Sequence, residues 1–326
     1  MALLYTLLKI PARLALPLYC RQYRVNRKEL LQSKGPLLLA ANHPNSFLDA
    51  IMLATLFDQP IYSLARGDAF ANGFLKRLLN AMNILPVYRI SEGTHNLNTN
   101  YDTFSACQSI FRKGGIVLIF SEGLCVNEWK LRPLKKGTAR LAISCWKEGI
   151  PLRVLPTGIN YHSFREYGKS VHIRFGQSIS GTDVDINTTE GQSIRQFNEL
   201  LQQELRALVD HVDLERDAAN NHPVDQAMSP VIRRLLWLPA FIGKWIHAPL
   251  YYPIRAIATK KAAPFGHYDS VLIGALMVAY PLYSILLTAG VYLITNQPWA
   301  LLGLLVLPVL ARLHVYRKYE NKAVTN

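Results

Sequence analysis

Val271 to Ile294, "VLIGALMVAYPLYSILLTAGVYLI", runs for twenty-four residues without a charge. A helix crossing bilayer hydrocarbon needs about 20 such residues. A surface helix of a water-soluble domain instead shows polar residues on its outer face. The stretch therefore predicts a transmembrane helix, and the remainder of the chain must be compatible with a membrane. After "TNQP" comes "WALLGLLVLPVLARLHVY", which is shorter, contains Pro308 and reaches Arg312 early. It reads either as a second span with Arg312 snorkelling to the interface or as a re-entrant half-helix. Lysines and arginines lie outside both segments and none lies in the link. By the positive-inside rule the two outer flanks are expected on the cytoplasmic side, which makes the pair a hairpin.

The segments next to this hairpin have a matching chemistry. "PVIRRLLWLPAFIGKWIHAPLYYPIRAIATKK", from Pro230, mixes Trp, Tyr and Pro with Arg233, Arg234, Lys244, Arg255, Lys260 and Lys261, and holds no acidic residue. Interleaved rings and cations suit the headgroup layer. At the other end, "MALLYTLLKIPARLALPLYC" is apolar but broken by Lys9, Pro11 and Arg13, and no small-residue cleavage site follows. It predicts an amphipathic interfacial helix, with Lys9, Arg13, Arg21 and Arg24 near lipid phosphates. The formal charge of +14 calls for an acidic partner, and its cations cluster beside apolar segments. That favours membrane lipids and phosphorylated substrates over nucleic acid. Four scattered cysteines without a CxxC pair predict no disulfide framework, no metal site and a reducing compartment.

Between these ends the pattern changes. "GPLLLAAN", "QPIYSLA", "NILPVYR", "GGIVLIF", "LRVLPTGINY" and "VHIRFG" read as short strands. Helical stretches fall near 47–57, 69–82, 100–113 and 137–148, and a long helix follows, with Thr189 as its cap and Gln192 closing a capping box. Strands alternating with helices predict an α/β fold, a mostly parallel sheet flanked by helices. The expected division is an interfacial helix over 1–30, a catalytic domain over 31–229, and an interfacial segment plus hairpin over 230–326. A chain cut at 229 is expected to keep its catalytic residues in place.

Four constellations in the middle part are able to carry chemistry. In "NHPNSFLDA", His43 follows a strand and Asp49 falls in the first turn of the next helix, for which Ser46 is a plausible cap. A carboxylate bonded to one imidazole nitrogen fixes the tautomer and frees the other nitrogen to take a proton from a hydroxyl. "FSEG" puts Glu122 and Gly123 after another strand. "NILPVYR" does the same for Arg89, a residue suited to a phosphate. "IPLRVLPTGI" interrupts a strand with Pro156, and "LKKGTARLA" places Lys136 at a helix start, a possible anion seat.

Taken in order, these stretches resemble the four blocks of the glycerolipid acyltransferase superfamily, the glycerol-3-phosphate and 1-acylglycerol-3-phosphate acyltransferases, over residues 30 to 180. The resemblance implies His43 as general base, oriented by Asp49. It implies Arg89, Glu122 and Gly123 as residues holding a phosphorylated acceptor, and Pro156 on the acyl-donor side. No cofactor is implied; acyl-CoA or acyl carrier protein would be the co-substrate. The implied function is that of a membrane-bound acyltransferase of phospholipid synthesis, with its active site facing the cytoplasm. The sequence departs from the pattern at several points. Five residues separate His43 from Asp49 where the family usually has four, and the loop is expected to absorb the extra one. Asn83 replaces a usual glycine, Tyr88 a frequent acid, Ser121 a proline, and Leu124 and Cys125 the usual following pair. These changes leave open another lipid acceptor, such as an aminolipid. A non-catalytic lipid-binding protein on the same fold is disfavoured by the presence together of His43, Asp49, Arg89 and Glu122. A serine hydrolase using Ser46 or Ser121 is disfavoured because neither lies in a G-x-S-x-G elbow.

Overall fold

The computed structural model describes residues 2–87, 97–209 and 230–323. At its centre is a seven-stranded sheet. The strands are β1 (Gln22–Val25), β2 (Leu37–Ala41), β3 (Ile61–Arg66), β4 (Ile84–Val87), β5 (Ile116–Phe120), β6 (Arg153–Tyr161) and β7 (Ser170–Phe175). Their order across the sheet is β1-β7-β6-β2-β5-β3-β4. Only the β6–β7 pair is antiparallel, so the sheet is mostly parallel, as the alternating pattern implies.

β2 explains the arrangement best. All five of its residues are buried, the mark of a strand covered on both faces. Its side chains alternate between two cores. Leu37, Leu39 and Ala41 join the core under α1 (Ala2–Tyr19) and α2 (Phe47–Leu56). Leu38 and Ala40 join the core under α4 (Leu97–Arg112), α5 (Lys136–Lys147) and α6 (Glu190–Val209). α3 (Gly73–Ala81) precedes the outermost strand, β4. The chain runs from β2 toward β3 on one side and later returns to β6 on the other. The carboxyl end of β2 is therefore a topological switch point, where open α/β sheets hold ligands.

The amino-terminal helix differs from expectation. It ends at Tyr19, and Gln22–Val25 pairs in parallel with β7 at the sheet edge. That strand is short, and so it reads as part of the preceding helix in the sequence. Nor do the helix cations reach for lipid. Lys9 donates to the carbonyls of Phe57 and Asp58, and Arg13 Nε donates to Thr55 O at 2.9 Å, so both close the carboxyl end of α2. The helix keeps an outward apolar stripe at Leu7, Ile10 and Leu14. At α6 the capping box forms by half. The Thr189 hydroxyl accepts from the Gln192 backbone amide at 3.4 Å and donates to Gln192 Oε1, so the glutamine side chain meets the cap's hydroxyl and not its backbone N–H.

The carboxyl-terminal part is helical: α7 (Trp237–Ile257), α8 (Tyr268–Thr295) and α9 (Gly303–Ala323), the last entered through a 3-10 turn from Pro298. Tyr268–Thr295 and Pro298–Val315 are long and apolar enough to cross a membrane. Asn296, in the left-handed conformation at φ 49°, ends α8 and turns the chain tightly into the next helix. Arg312 does not snorkel. Its guanidinium donates to the carbonyls of Pro17, Cys20 and Arg21, which closes the end of α1. The base of this region also belongs to the central core. Ala258, Ala263, Tyr268, Leu272 and Ile273 pack in the same cluster as β2 and α2.

Candidate functional site

His43 and Glu122 leave the carboxyl ends of two neighbouring strands. β2 and β5 are in register from Leu37↔Ile116 to Ala41↔Phe120, and the Ser121 amide continues the ladder to Ala41 O at 2.9 Å. Asn42 anchors the exit of β2 on the other side, exchanging two hydrogen bonds with the Ile159 backbone at 2.7 and 3.0 Å. The imidazole of His43 lies flat on the Phe120 ring, with centroids 3.7 Å apart and 12° between planes. That leaves little freedom for the ring to turn.

The chain then folds back. His43 Nδ1 meets Asp49 Oδ2 at 2.9 Å. Asp49 is fully buried in the first turn of α2, whereas the His43 side chain keeps 19 % of its surface open. The same carboxylate oxygen accepts the Asn45 amide at 2.8 Å. Asp49 therefore binds both the imidazole and the backbone of the loop joining them. With Nδ1–H donating to Asp49, the histidine presents Nε2 as a base.

The fifth intervening residue is absorbed at Ser46, which adopts φ 54° and ψ −134°, a conformation that side-chain-bearing residues rarely take. Ser46 occupies the cap position of α2 but makes no cap with its hydroxyl, contrary to expectation. Its Oγ meets His267 Nδ1 at 2.7 Å and its amide donates to Cys125 Sγ at 2.9 Å.

Glu122 braces the same loop. Its Oε2 accepts the His43 amide at 2.7 Å and its Oε1 accepts the Arg132 amide at 2.8 Å. Burial pushes its carboxyl up, against the downward pull of these two amides. Gly123 takes φ +64°, and a Cβ there would sit 3.0 Å from Lys135 Cγ. The conformation favours glycine, and any added side chain would make Lys135 shift. Asn83, where the family pattern has glycine, stands at φ 59°; asparagine tolerates this left-handed region best among side-chain-bearing residues. The Ser121 hydroxyl accepts from Thr138 at 3.0 Å and ties the strand end to α5.

The other candidates divide. Lys136 is exposed at the start of α5. Pro156 lies buried inside the sheet in register with Ala40, where β6 passes from its bridge at Val154–Ile179 to its ladder with β7; a residue without an N–H fits such a break. Arg89 and its neighbour Tyr88 fall outside the described residues.

Three residues escape the sequence reading. Tyr161 is fully buried, and burial and the Asp49 charge push its phenol well up, so it stays protonated beside the carboxylate. Asn127 Nδ2 donates to Pro44 O at 2.7 Å and holds the loop from outside. His267 arrives from the far end of the chain, which no local spacing reveals. Its imidazole is pushed down by burial and by the charges of His43 and Arg66. Burial also pushes the thiol of Cys125 up to about 12. A thiol held protonated beside the site is not a nucleophile. Among the described residues no group of three His, Cys, Asp or Glu side chains is placed to hold a metal ion.

Comparison with known proteins finds relatives over the sheet half of the chain. The family model "Acyltransferase" matches residues 22–160, from β1 through β6. Over 131 residues the chain is 25 % identical to 1-acyl-sn-glycerol-3-phosphate acyltransferase BAT2, chloroplastic, of Brassica napus. The match covers 40 % of this chain and 36 % of that protein, so the chain spans about a third of its relative's length. Among solved structures it is similar to the 1-acyl-sn-glycerophosphate acyltransferase PlsC of Thermotoga maritima, with 14 % identity, a TM-score of 0.42, and coverage of 58 % of this chain and 71 % of that one. Residues 22–160 thus carry an acyltransferase-family domain, and over that part the chain is similar to glycerolipid acyltransferases.

Proposed function

We propose that this chain moves a fatty acyl group from an acyl thioester, acyl-CoA or acyl carrier protein, to the hydroxyl of a glycerol phosphate acceptor at a membrane. The observation that carries the reading is the His43–Asp49 pair: 2.9 Å between Nδ1 and Oδ2, a fully buried carboxylate, and an accessible imidazole at the carboxyl edge of the sheet. His43 Nε2 takes the proton of the acceptor hydroxyl as its oxygen attacks the thioester carbonyl. The tetrahedral intermediate collapses with cleavage of the C–S bond, and His43 returns the proton to the departing thiolate. A thioester is reactive enough for this route to need no acyl-enzyme. General base catalysis supplies about 10²–10⁴-fold, and positioning supplies more.

Glu122 serves the loop and not the proton, since both of its oxygens are engaged by backbone amides. Similarity to the 1-acyl-sn-glycerol-3-phosphate acyltransferase of Brassica napus supports a lysophosphatidate-type acceptor. The family resemblance assigns Arg89, Glu122, Gly123 and the donor-side Pro156 to substrate binding, with Lys136 the further cation beside an acceptor phosphate. The acyl chains would reach the site from lipid, with the hairpin crossing the bilayer, the Asn296 turn on the far side and the catalytic edge facing the cytoplasm. The test is direct: purified full-length protein is incubated with acyl-CoA or acyl carrier protein and a panel of labelled acceptors, with His43→Ala as control. Transfer to 1-acylglycerol-3-phosphate or glycerol-3-phosphate, lost in the control, is expected. Transfer to an aminolipid alone would replace the acceptor but keep the chemistry. No transfer to any acceptor refutes the proposal.

A further inference from the structure

The loop that carries His43 is gripped by the foot of the hairpin. Asn45, two residues after His43, donates from Nδ2 to Asp269 Oδ2 at 2.5 Å. Asp269 stands in the first turn of α8, 224 residues away. The same carboxylate accepts the Tyr19 hydroxyl at Oδ1, 2.5 Å away, and forms an ion pair with Lys169. Asn45, Asp269 and Lys169 are each 0 % exposed and Tyr19 is 2 % exposed. Two residues before Asp269, His267 holds the Ser46 hydroxyl. Adjacent loop residues are thus held by adjacent turns of the hairpin base. Asn45 in turn gives its amide to Asp49 Oδ2, the oxygen that meets His43.

We propose that Asp269 is a positioning residue for acyl transfer: fixed by Lys169 and Tyr19, it holds Asn45, and through Asn45 the angle at which Asp49 presents His43. The inference rests on the acyltransferase reading above. A buried ion pair is a poor way to stabilise a fold, because apolar side chains of the same volume do as well or better. Such a pair does give one fixed geometry at a defined point. Catalysis needs that here, since the catalytic loop contains a residue at φ 54° and has no regular structure of its own to hold it. Burial raises the stakes, for in a dry site Asn45 finds no water to replace a lost acceptor. The arrangement also makes the active site depend on the hairpin being seated.

Two variants of the full-length protein test this. Asn45→Ala removes the link but leaves Asp269 its ion pair and its tyrosine. Its kcat should fall about 10- to 100-fold, the scale of a misplacement of about 1 Å, with KM for donor and acceptor and the melting temperature near wild type. The double variant Lys169→Met/Asp269→Leu replaces the pair by apolar side chains and should keep the melting temperature near wild type while kcat falls. A merely structural role predicts that both stay near wild type. Hydrogen exchange at the backbone amides of residues 45–49 provides a readout independent of turnover, and protection should be lost in Asn45→Ala. Wild-type kcat together with wild-type protection in that variant overturns the inference. If the wild-type protein transfers no acyl group at all, the functional reading fails, and the exchange result alone decides whether Asp269 holds the loop.

Discussion

The sheet half and the hairpin half of this molecule expose opposite kinds of residue. Around the sheet, Leu38, Leu39, Val117, Leu118 and Phe197 have no exposed surface, and the charges kept inside, such as Asp49 and Lys169, have partners. In the hairpin, Leu286, Leu293 and Ile294 are 71 %, 80 % and 87 % exposed, while Asp269, Ser284 and Thr288 are buried. The first pattern minimises apolar contact with water. The second is stable where the surroundings are themselves apolar, with polar groups kept inside among protein partners. The two halves meet at the His43 loop, where the interior polar network of one reaches the His43–Asp49 pair of the other.

The most severe way to break this comparison is to separate the halves. A chain ending at residue 229 lacks Tyr268, Leu272 and Ile273, which share the core of β2 and α2, and it leaves Lys169 buried without Asp269. An unpaired buried charge costs about 3–5 kcal/mol, and each lost core side chain adds about 1.5–3 kcal/mol. Total stabilities are about 5–15 kcal/mol, so this fragment should fail to fold. The packing and ion pair across residue 229 argue against the expectation that a cut there keeps the site in place. A fragment with a cooperative melt and wild-type His43 reactivity would show instead that the halves are independent.

Removal of the chemistry alone comes next. His43→Ala should lower kcat by about 10²–10⁴-fold, equivalent to about 2.7–5.4 kcal/mol, and should lower the melting temperature as well, because the buried Asp49 loses a partner. Asp49→Asn should do similar damage, as it strips the charge that two groups share. Turnover within tenfold of wild type in either variant contradicts general base catalysis by this pair.

An outward substitution separates lipid from water. Leu286 is 71 % exposed in α8. If water surrounds it, Leu286→Lys is nearly neutral; if lipid does, the lysine costs about 2.5–3.5 kcal/mol near the helix centre. Reduced recovery in the membrane fraction is expected, and normal recovery with normal activity would place the hairpin outside the hydrocarbon.

Much of the sheet half was legible because its signals are local. The strand runs, the crossover helices and the His43, Asp49, Glu122 and Gly123 positions follow from neighbours within a few residues. β1 escaped because four residues at an edge, with Val25 alone buried, carry too short a hydrophobic pattern to read. The cations of α1 and Arg312 were read as lipid-facing because charge alone does not say whether a helix end waits nearby; here α2 and α1 supply carbonyls. His267 and Asp269 were invisible as site residues, since their partners lie 221 and 224 positions away. The inside-out character of the hairpin was legible, as a stretch without charge has few other uses.

Gly123→Ala probes how finely the sheet half is fitted. At φ +64° an alanine costs about 1–2 kcal/mol, and its Cβ presses on the Lys135 side chain. Because Glu122 holds the His43 amide, the strain should appear both as a lower melting temperature and as slower turnover. An unchanged kcat would mean that the "FSEG" turn is fitted for packing alone.

The smallest expected effect lies on the water-facing side, far from any lipid. The Asp183 carboxylate accepts the Ser180 amide and hydroxyl, both at 2.7 Å, and these bonds hold its carboxyl below the usual aspartate range. A carboxyl lowered in the folded state stabilises the fold above its unfolded value of about 3.9, and that contribution disappears as pH falls through the folded value. The stabilisation is therefore complete at neutral pH and lost in acid. Asp183 is exposed, so solvent screening limits the contribution to about 0.5–1 kcal/mol. Asp183→Asn should lower the melting temperature slightly at pH 7 and by less at pH 3, where the wild type has itself lost part of the charge. The outward face of α8 around Leu286, whose titratable side chains are tyrosines that stay neutral from pH 3 to 7, should show no such dependence: Leu286→Lys should reduce membrane recovery equally at both pH values. A larger loss for Asp183→Asn in acid than at neutrality would reverse the sign and rule out the charged hydrogen bonds as its cause.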